Sequence, residues 1–325
     1  MDDFGNLSPN IVIDEVEKYL GTKMCGLCSA LPSYINRVYN LQCMNGTGVV
    51  AKFYRPGRWS KAAIEEEHRF VADCAEIEIP VIMPLPDVNG KTLRKADDGT
   101  LFTVFPRRFG REMEIIEDED WRRLGRVTAR IHLAGAKRQA KHRVVLTPEQ
   151  STMKYLQLLQ DGNHIATGSQ RAFAAAAAQL LELTSGQFDR LEKIRIHGDC
   201  HRGNILERPG EGLMIIDFDD MMHGPPIQDL WLLLPGYANE CRRELDLLLE
   251  GYFEMREFDI SSLALIESLR AMRQIYFLAW CSTQTDDFKF KQNFPDWGSE
   301  QFWHRETADL QRQLQRIVCP PNLYN

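Results

Sequence analysis

The chain has 325 residues, enough for one large domain or for two lobes with a substantial interior. Hydrophobic residues make up 44% and charged residues 26%, as in an ordinary globular enzyme, and no apolar run approaches the ~20 residues of a membrane span. The 46 acids against 39 bases leave a net charge of −7, which argues against nucleic acid as the main partner.

The acidic start, Met1-Asp2-Asp3-Phe4, lacks the basic-then-apolar order of a secretion signal, so a cytoplasmic protein is expected. Eight cysteines in such a chain read as reduced thiols. Cys25-Gly26-Leu27-Cys28 has redox or zinc spacing, but no second close pair completes a four-ligand set.

Taken in order, Asp14 to Gly21 reads as a short helix ending at glycine. Residues 34–43 and 47–54, around Met44-Asn45-Gly46, read as a β-hairpin. Ser60 can cap a helix over 61–77 that stops before Pro80. Val81–Met83, Thr92–Arg94 and Leu101–Phe105 are further strand candidates. Beyond a hinge near 105–110 the pattern turns helical, first over 118–133, where Trp121, Leu124, Val127 and Ile131 fall on one face. Helices also suit 149–161, 170–184, 239–256, 261–281 and 299–317. Among them sits a β island, with Ile194-Arg195-Ile196 and Leu213–Ile216 as its strands and Pro209-Gly210-Glu211-Gly212 as the turn before the second. The expectation is an α+β, bilobal chain, with a β-rich N-terminal lobe over 1–106 and a larger, mainly helical lobe over 107–325.

The chemistry concentrates in His197-Gly198-Asp199-Cys200-His201-Arg202-Gly203-Asn204-Ile205-Leu206 and in Asp217, which ends an apolar run 13 residues after Asn204. A carboxylate to take the nucleophile's proton, then an amide and a second carboxylate to hold magnesium, are the parts that phosphoryl transfer needs. Asp199 is the candidate base, Asn204 and Asp217 the candidate metal ligands, and Mg²⁺ with ATP the implied cofactors. Asp219 either assists the ion or is a solvated neighbour. Lys52, on the strand-like run Val49–Tyr54, is placed to reach the α- and β-phosphates if a helix glutamate holds it. Glu67 fits that role better than Glu66, because Ala63, Ile64, Phe70 and Val71 surround it at helical spacing, while Glu65 neighbours charged residues. Ser33 occupies the position of a phosphate-covering loop, although no GxGxxG is present and the residues alone suggest an ordinary turn. His132 and His201 read as buried, hydrogen-bonded groups. No GxSxG elbow supports acyl transfer, and a glycosidase pair of Asp199 and Asp217 would leave Asn204 and Lys52 without roles.

The run His197-Gly198-Asp199-x-His201-x-x-Asn204 with Asp217 resembles the signature of the aminoglycoside phosphotransferase and choline kinase superfamily. Longer blocks are similar to a bacterial stress-response family of serine/threonine protein kinases within it. They are Ser33-Tyr34-x-Asn36-Arg37-Val38-Tyr39, Lys52–Trp59, Glu66-Glu67-His68, Gly224–Trp231, Leu269–Arg273 and Tyr276–Trp280. The resemblance implies a protein-kinase-like fold and transfer of the γ-phosphoryl group of Mg-ATP to a protein hydroxyl, including the enzyme's own. It makes Asp199 the proton acceptor, Asn204 and Asp217 the magnesium ligands, Lys52 with Glu67 the phosphate-positioning pair, Ser33 an ATP contact and Asp229 a structural brace. A cytoplasmic monomer acting on protein substrates, without nucleic acid or membrane, is expected. One departure favours small-molecule kinases: HGD and Asp217-Phe218-Asp219 replace HRD and DFG, and only eleven residues separate Asp217 from Asp229, too few for an ordinary activation loop. A kinase of a metabolite hydroxyl is therefore the alternative. A non-catalytic nucleotide-binding module would have lost the base or the metal ligands, and here all are present.

Overall fold

A computed structural model describes residues 4, 7–33, 35–208 and 210–319, apart from the side chain of Lys289. Tyr34 of the Ser33–Tyr39 block and Pro209 of the turn lie outside the described residues, as do Met1 to Asp3. The chain divides into two compact units, Met1–Met113 with Ala140–Arg143 and Arg202–Asp219, and Glu114–Gln139 with Val144–His201 and Asp220–Asn325.

Helix α1 (Pro9–Leu20) opens five residues before the expected start. Ser8 accepts a hydrogen bond from Ile11 N, Pro9 supplies a preset φ at the first helical position, and Gly21 closes the helix at φ 65°. Strands β1 (Met24–Leu31), β2 (Arg37–Cys43) and β3 (Gly48–Phe53) follow, then helix α2 (Lys61–Glu76), with the Ser60 hydroxyl accepting from Ala63 N. Strands β4 (Arg94–Lys95) and β5 (Leu101–Pro106) complete an antiparallel sheet of order β1-β2-β3-β5-β4. Period-2 alternation sends Val49, Ala51 and Phe53 into a core with Val12, Val16 and Tyr19 of α1, and Phe53 stacks on Phe102 at 4.9 Å. Lys52, out of phase with those three, projects from the opposite face.

Strand β6 (Arg111–Glu112) ends the first stretch of this unit. The second unit begins with α3 (Asp118–Ala136), continues through a π-helical turn at Pro148–Thr152 into α4 (Met153–Asp161), and adds α5 (Gln170–Thr184) and β7 (Ile194–Ile196). The chain then returns to the first unit for β8 (Ile205–Arg208) and β9 (Gly212–Ile215). These form a hairpin in a sheet of order β6-β8-β9, and Ile215 N donates to Pro80 O at 3.0 Å. That pairing explains why the division is not one cut after residue 106: backbone hydrogen bonds hold 202–219 and β6 to the first unit. It also corrects two expectations. Val81–Met83 makes only an isolated bridge, Val81 to Ile215. The β island is two sheets, since β7 pairs with β10 (Met222–Gly224) and not with β9.

Five helices complete the second unit: α6 (Ile227–Trp231), α7 (Arg242–Phe253), α8 (Ile266–Ser282), α9 (Phe288–Asn293) and α10 (Glu300–Val318). Its core joins Leu159 and Phe173 to Ile275, Leu278, Trp303 and Leu310, the inward stripes of α4, α5, α8 and α10. The organisation is thus α+β, with a β-rich first unit and a mainly helical second one.

Helices α3 and α7 meet backbone to backbone. A Cβ on Gly125 would lie 2.0 Å from Leu248 O, and one on Gly251 would lie 2.1 Å from Arg122 O. Alanine normally favours a helix over glycine by ~1 kcal/mol, but here the added methyl must push the helices apart. Gly125→Ala is expected to lower the unfolding free energy by about 1–3 kcal/mol, read from the denaturant midpoint. A midpoint equal to or above that of the parent would contradict this packing.

Candidate active site

In the first unit the site is built around Lys52, which is 7% exposed. Its Nζ lies 3.1 Å from Asp219 Oδ1, 3.4 Å from Asp217 Oδ1 and 3.7 Å from Glu67 Oε1. Burial alone would discharge the amine, but these three carboxylates override it and hold the pKa well above the usual lysine value. Asp219 carries the heavier share of the pairing. It also pairs with Arg58 Nη1 and accepts from Asn36 Nδ2 at 3.3 Å. Burial works against its charge, yet Arg58, Lys52 and Arg143 together keep the carboxyl far below the normal aspartate range. Glu67 is pushed upward by burial, while Lys52 and Arg143 pull against that shift. Its second oxygen accepts from Arg143 Nη2 at 2.9 Å. Glu66 is committed elsewhere, accepting the backbone N–H groups of Lys141 and His142 at 2.8 and 2.9 Å. Of the two glutamates, Glu67 is therefore the one beside Lys52.

Asn204 and Asp217 stand at the same end of the β8–β9 hairpin. Ile205 pairs with Ile215, and Ile216 N donates to Asn204 O at 3.0 Å. Asp217 leaves the strand in the left-handed region at φ 60°, a conformation that costs a non-glycine residue about 1 kcal/mol and that aspartate tolerates better than most. Its side chain is 57% exposed, whereas Asn204 is buried. One amide oxygen and one carboxylate suit a hard, oxygen-seeking cation that keeps waters and substrate phosphates as its other ligands. Among the described residues no group of three or more His, Cys, Asp or Glu side chains is placed to hold a metal ion. The turn at Asp217 also corrects the reading of Asp219. A 3₁₀ segment over Phe218–Asp220 replaces the extended chain, so Asp219 points into the buried ion cluster and is not a solvated neighbour.

The second unit holds Asp199. Its loop is fixed by Asp229, a fully buried carboxylate that accepts from His197 N at 2.7 Å and Gly198 N at 2.8 Å. His132 Nε2 lies 3.1 Å from the same carboxylate and His132 Nδ1 lies 2.9 Å from Tyr252 Oη. A carboxylate only accepts, so Nε2 carries the proton and Nδ1 accepts from the tyrosine. His132 is thus the buried, bonded group expected. Gly198 adopts φ +82°, and a Cβ there would lie 2.3 Å from Asp220 O, so both its dihedral and its surroundings require glycine. Asp199 Oδ1 pairs with Arg273 Nη2, and Oδ2 lies 3.5 Å from His201 Nε2. Burial opposes its charge, but His201 and Arg273 hold the carboxyl below the usual aspartate value. His201 is a correction: its side chain is 47% exposed and faces Asp199, because the loop turns tightly with His201 N donating to Asp199 O at 2.8 Å. Cys200 between them is buried, and burial with nearby Asp229 and Asp199 pushes its thiol well upward.

Ser33 lies between β1 and β2, half-buried, in the turn where a phosphate-covering loop was expected. Sequence reasoning passed over Arg58, Arg143 and Arg273. Arg58 and Arg273 stand within blocks already noted, but nothing in their spacing announces an aspartate more than 70 residues away as partner.

The Asp219 cluster has a consequence for stability against pH. Its folded pKa is depressed, so its contribution is complete above the unfolded value of ~3.9 and is lost as pH falls from there through the folded value. Asp219→Asn is expected to cost about 3 kcal/mol at pH 7 through the unpaired buried cations. In urea titrations the gap from the parent should narrow below about pH 4; a gap constant from pH 7 to pH 3 would show that the charge is not its source.

A sequence profile of the phosphotransferase enzyme family matches residues 28–266. Stress response kinase A of Escherichia coli strain K12 is 37% identical over 319 residues, covering 98% of this chain and 96% of that protein. Serine/threonine protein kinase RdoA of Salmonella typhimurium strain LT2 is 38% identical over 323 residues, with the same coverage. Among solved structures, the amicoumacin kinase hAmiN, in complex with AMP-PNP, Ca²⁺ and Ami, has a TM-score of 0.74 at 19% identity over 97% of this chain and 94% of its own. The microcompartment-associated aminopropanol kinase has a TM-score of 0.73 at 18% identity over 98% and 100%. Those likenesses establish a kinase-like fold, and the profile with the near-full-length relatives places this chain in the phosphotransferase enzyme family.

Proposed function

We propose that the protein is an ATP-dependent serine/threonine kinase that transfers the γ-phosphoryl group of Mg-ATP to a protein hydroxyl, its own included, as part of a stress response. The observation that carries the reading is the near-full-length likeness to proteins named as stress response and serine/threonine kinases. The chemistry present supports it: a charged buried lysine, a carboxylate held as a base, and an oxygen donor pair. Lys52 binds the α- and β-phosphates, oriented by Glu67, and Ser33 contacts the nucleotide from the β1–β2 turn. Asn204 and Asp217 would hold a magnesium ion, which would supply neutralisation of the phosphate charge. Asp199 takes the acceptor's proton as the new O–P bond forms and the bond from the γ-phosphorus to the bridging oxygen of ADP breaks. The protein acts on protein substrates as a cytoplasmic monomer.

A second reading, phosphorylation of a metabolite hydroxyl, is favoured by the eleven-residue interval between Asp217 and Asp229 and by the small compounds after which the amicoumacin and aminopropanol kinases are named. Incubation with Mg²⁺ and γ-labelled ATP separates the two. Label on serine or threonine that disappears in Asp199→Ala supports protein phosphorylation. Rapid labelling of a small hydroxyl compound, with only trace label on protein, supports the alternative. No turnover with any acceptor would leave a nucleotide-binding module.

The division of labour between the aspartates gives a sharper test. Asp199→Ala should keep nucleotide affinity and lose transfer by about 10²–10⁴-fold. Asp217→Ala should weaken metal-dependent nucleotide binding itself. Equal loss of ATP affinity in both variants, measured by calorimetry with and without Mg²⁺, would contradict these assignments.

A further inference from the structure

Arg273 is a charged side chain paired directly with the candidate base. It lies on α8, one turn from Leu269 and from Tyr276, and its Nη2 pairs with Asp199 Oδ1. The Asp199 loop does not need that support, because Asp229 already accepts two successive backbone N–H groups from it. Both partners of the pair remain partly exposed, Asp199 at 23% and Arg273 at 29%, so the contact borders solvent. A guanidinium on one carboxylate oxygen covers a position that an acceptor hydroxyl must reach, and it makes the carboxylate a weaker base.

The surroundings suggest what displaces it. Arg273 and Tyr276 line a small cavity of about 20 Å³ with Val144, Leu146 and Met222, room for about one water molecule. The Tyr276 hydroxyl donates to Asp220 Oδ1 at 3.0 Å, and its ring centre lies 5.7 Å from the Arg273 guanidinium carbon, which keeps the arginine near the cavity mouth. The Thr152 hydroxyl, buried in the same wall, has no hydrogen-bond partner. A neutral acceptor would have to separate Arg273 from Asp199 and offer the guanidinium nothing in return. An acceptor that carries its own carboxylate or phosphate exchanges one charge-assisted pair for another and frees the base.

We infer that Arg273 is an acceptor-recognition residue, and that the hydroxyl phosphorylated by this protein is carried beside a carboxylate or phosphate. The inference rests on the phosphotransferase reading above and narrows its acceptor.

The test uses the full-length protein, Mg-ATP labelled in the γ position, and serine peptides in matched pairs that differ only by Glu or Gln next to the serine. A small hydroxy acid and its amide form a parallel pair, so that a protein and a metabolite source are separated. The acidic member is expected to be favoured at least about tenfold in kcat/KM, mostly through KM. Arg273→Gln and Arg273→Ala should bring that ratio close to one, while Arg273→Lys should keep part of it. Thermal melts of the variants identify any that fail to fold, and Arg273→Gln, closest in shape, carries the conclusion. A parental ratio near one, a ratio unchanged in Arg273→Gln, or transfer only to acceptors without an anion overturns the inference and leaves phosphotransfer standing. ATP consumption with no acceptor of any kind overturns both.

Discussion

The fully buried carboxylate of Asp229 is the constraint on which the second unit's chemistry depends. Two consecutive backbone N–H groups, of His197 and Gly198, can point at one carboxylate only if the chain bends sharply between them, and the glycine at φ +82° provides the bend. The carboxylate in turn needs a third donor, supplied by His132 on α3, whose other nitrogen is held by Tyr252 of α7. The close approach of α3 and α7 through Gly125 and Gly251 is thus linked to the Asp199 loop through Tyr252, His132 and Asp229. The Asp229 carboxylate, the His132 ring and the Tyr252 hydroxyl satisfy one another, which is the condition under which a buried network rigidifies a loop instead of weakening it.

The first unit solves a different problem. A lysine buried on the face of a sheet would normally shed its proton, and a triphosphate is recognised best by an amine that has kept it. Three carboxylates around Lys52 keep it charged, and Arg58 and Arg143 keep those acids from repelling one another. Asp219 is closer to Lys52 than Glu67 is, at 3.1 against 3.7 Å, so the pair expected from the sequence is one edge of a larger cluster. An acidic protein can therefore present a local cation where a polyanion binds.

Much of this was readable in the residues, and the failures have physical causes. The Ser60 cap and the hydrophobic period located α2, α3 and α10 to within three residues, because those signals act over a single helical turn. The Asp199–Asn204–Asp217 spacing was legible because a hairpin holds the last two at one end. Pairing across long stretches was not: β7 takes β10 as its neighbour, and β9 reaches back to Pro80. Of the two alternatives for Asp219, only the solvated neighbour is excluded, because the left-handed turn at Asp217 ends the extended chain and buries the carboxylate. Arg143 was invisible for a related reason, since its partner Glu67 lies 76 residues away. His201 is exposed rather than buried because a tight turn carries it.

The thiol of Cys200 sits next to the candidate base and is almost completely enclosed. A thiol whose ionisation is suppressed reacts slowly with electrophiles, since the thiolate is the reacting form. Alkylating reagents would meet exposed Cys25 and Cys319 long before they met Cys200. Labelling of Cys200 in the folded protein would therefore time the local opening of the loop, giving a clock for its motion that does not depend on turnover.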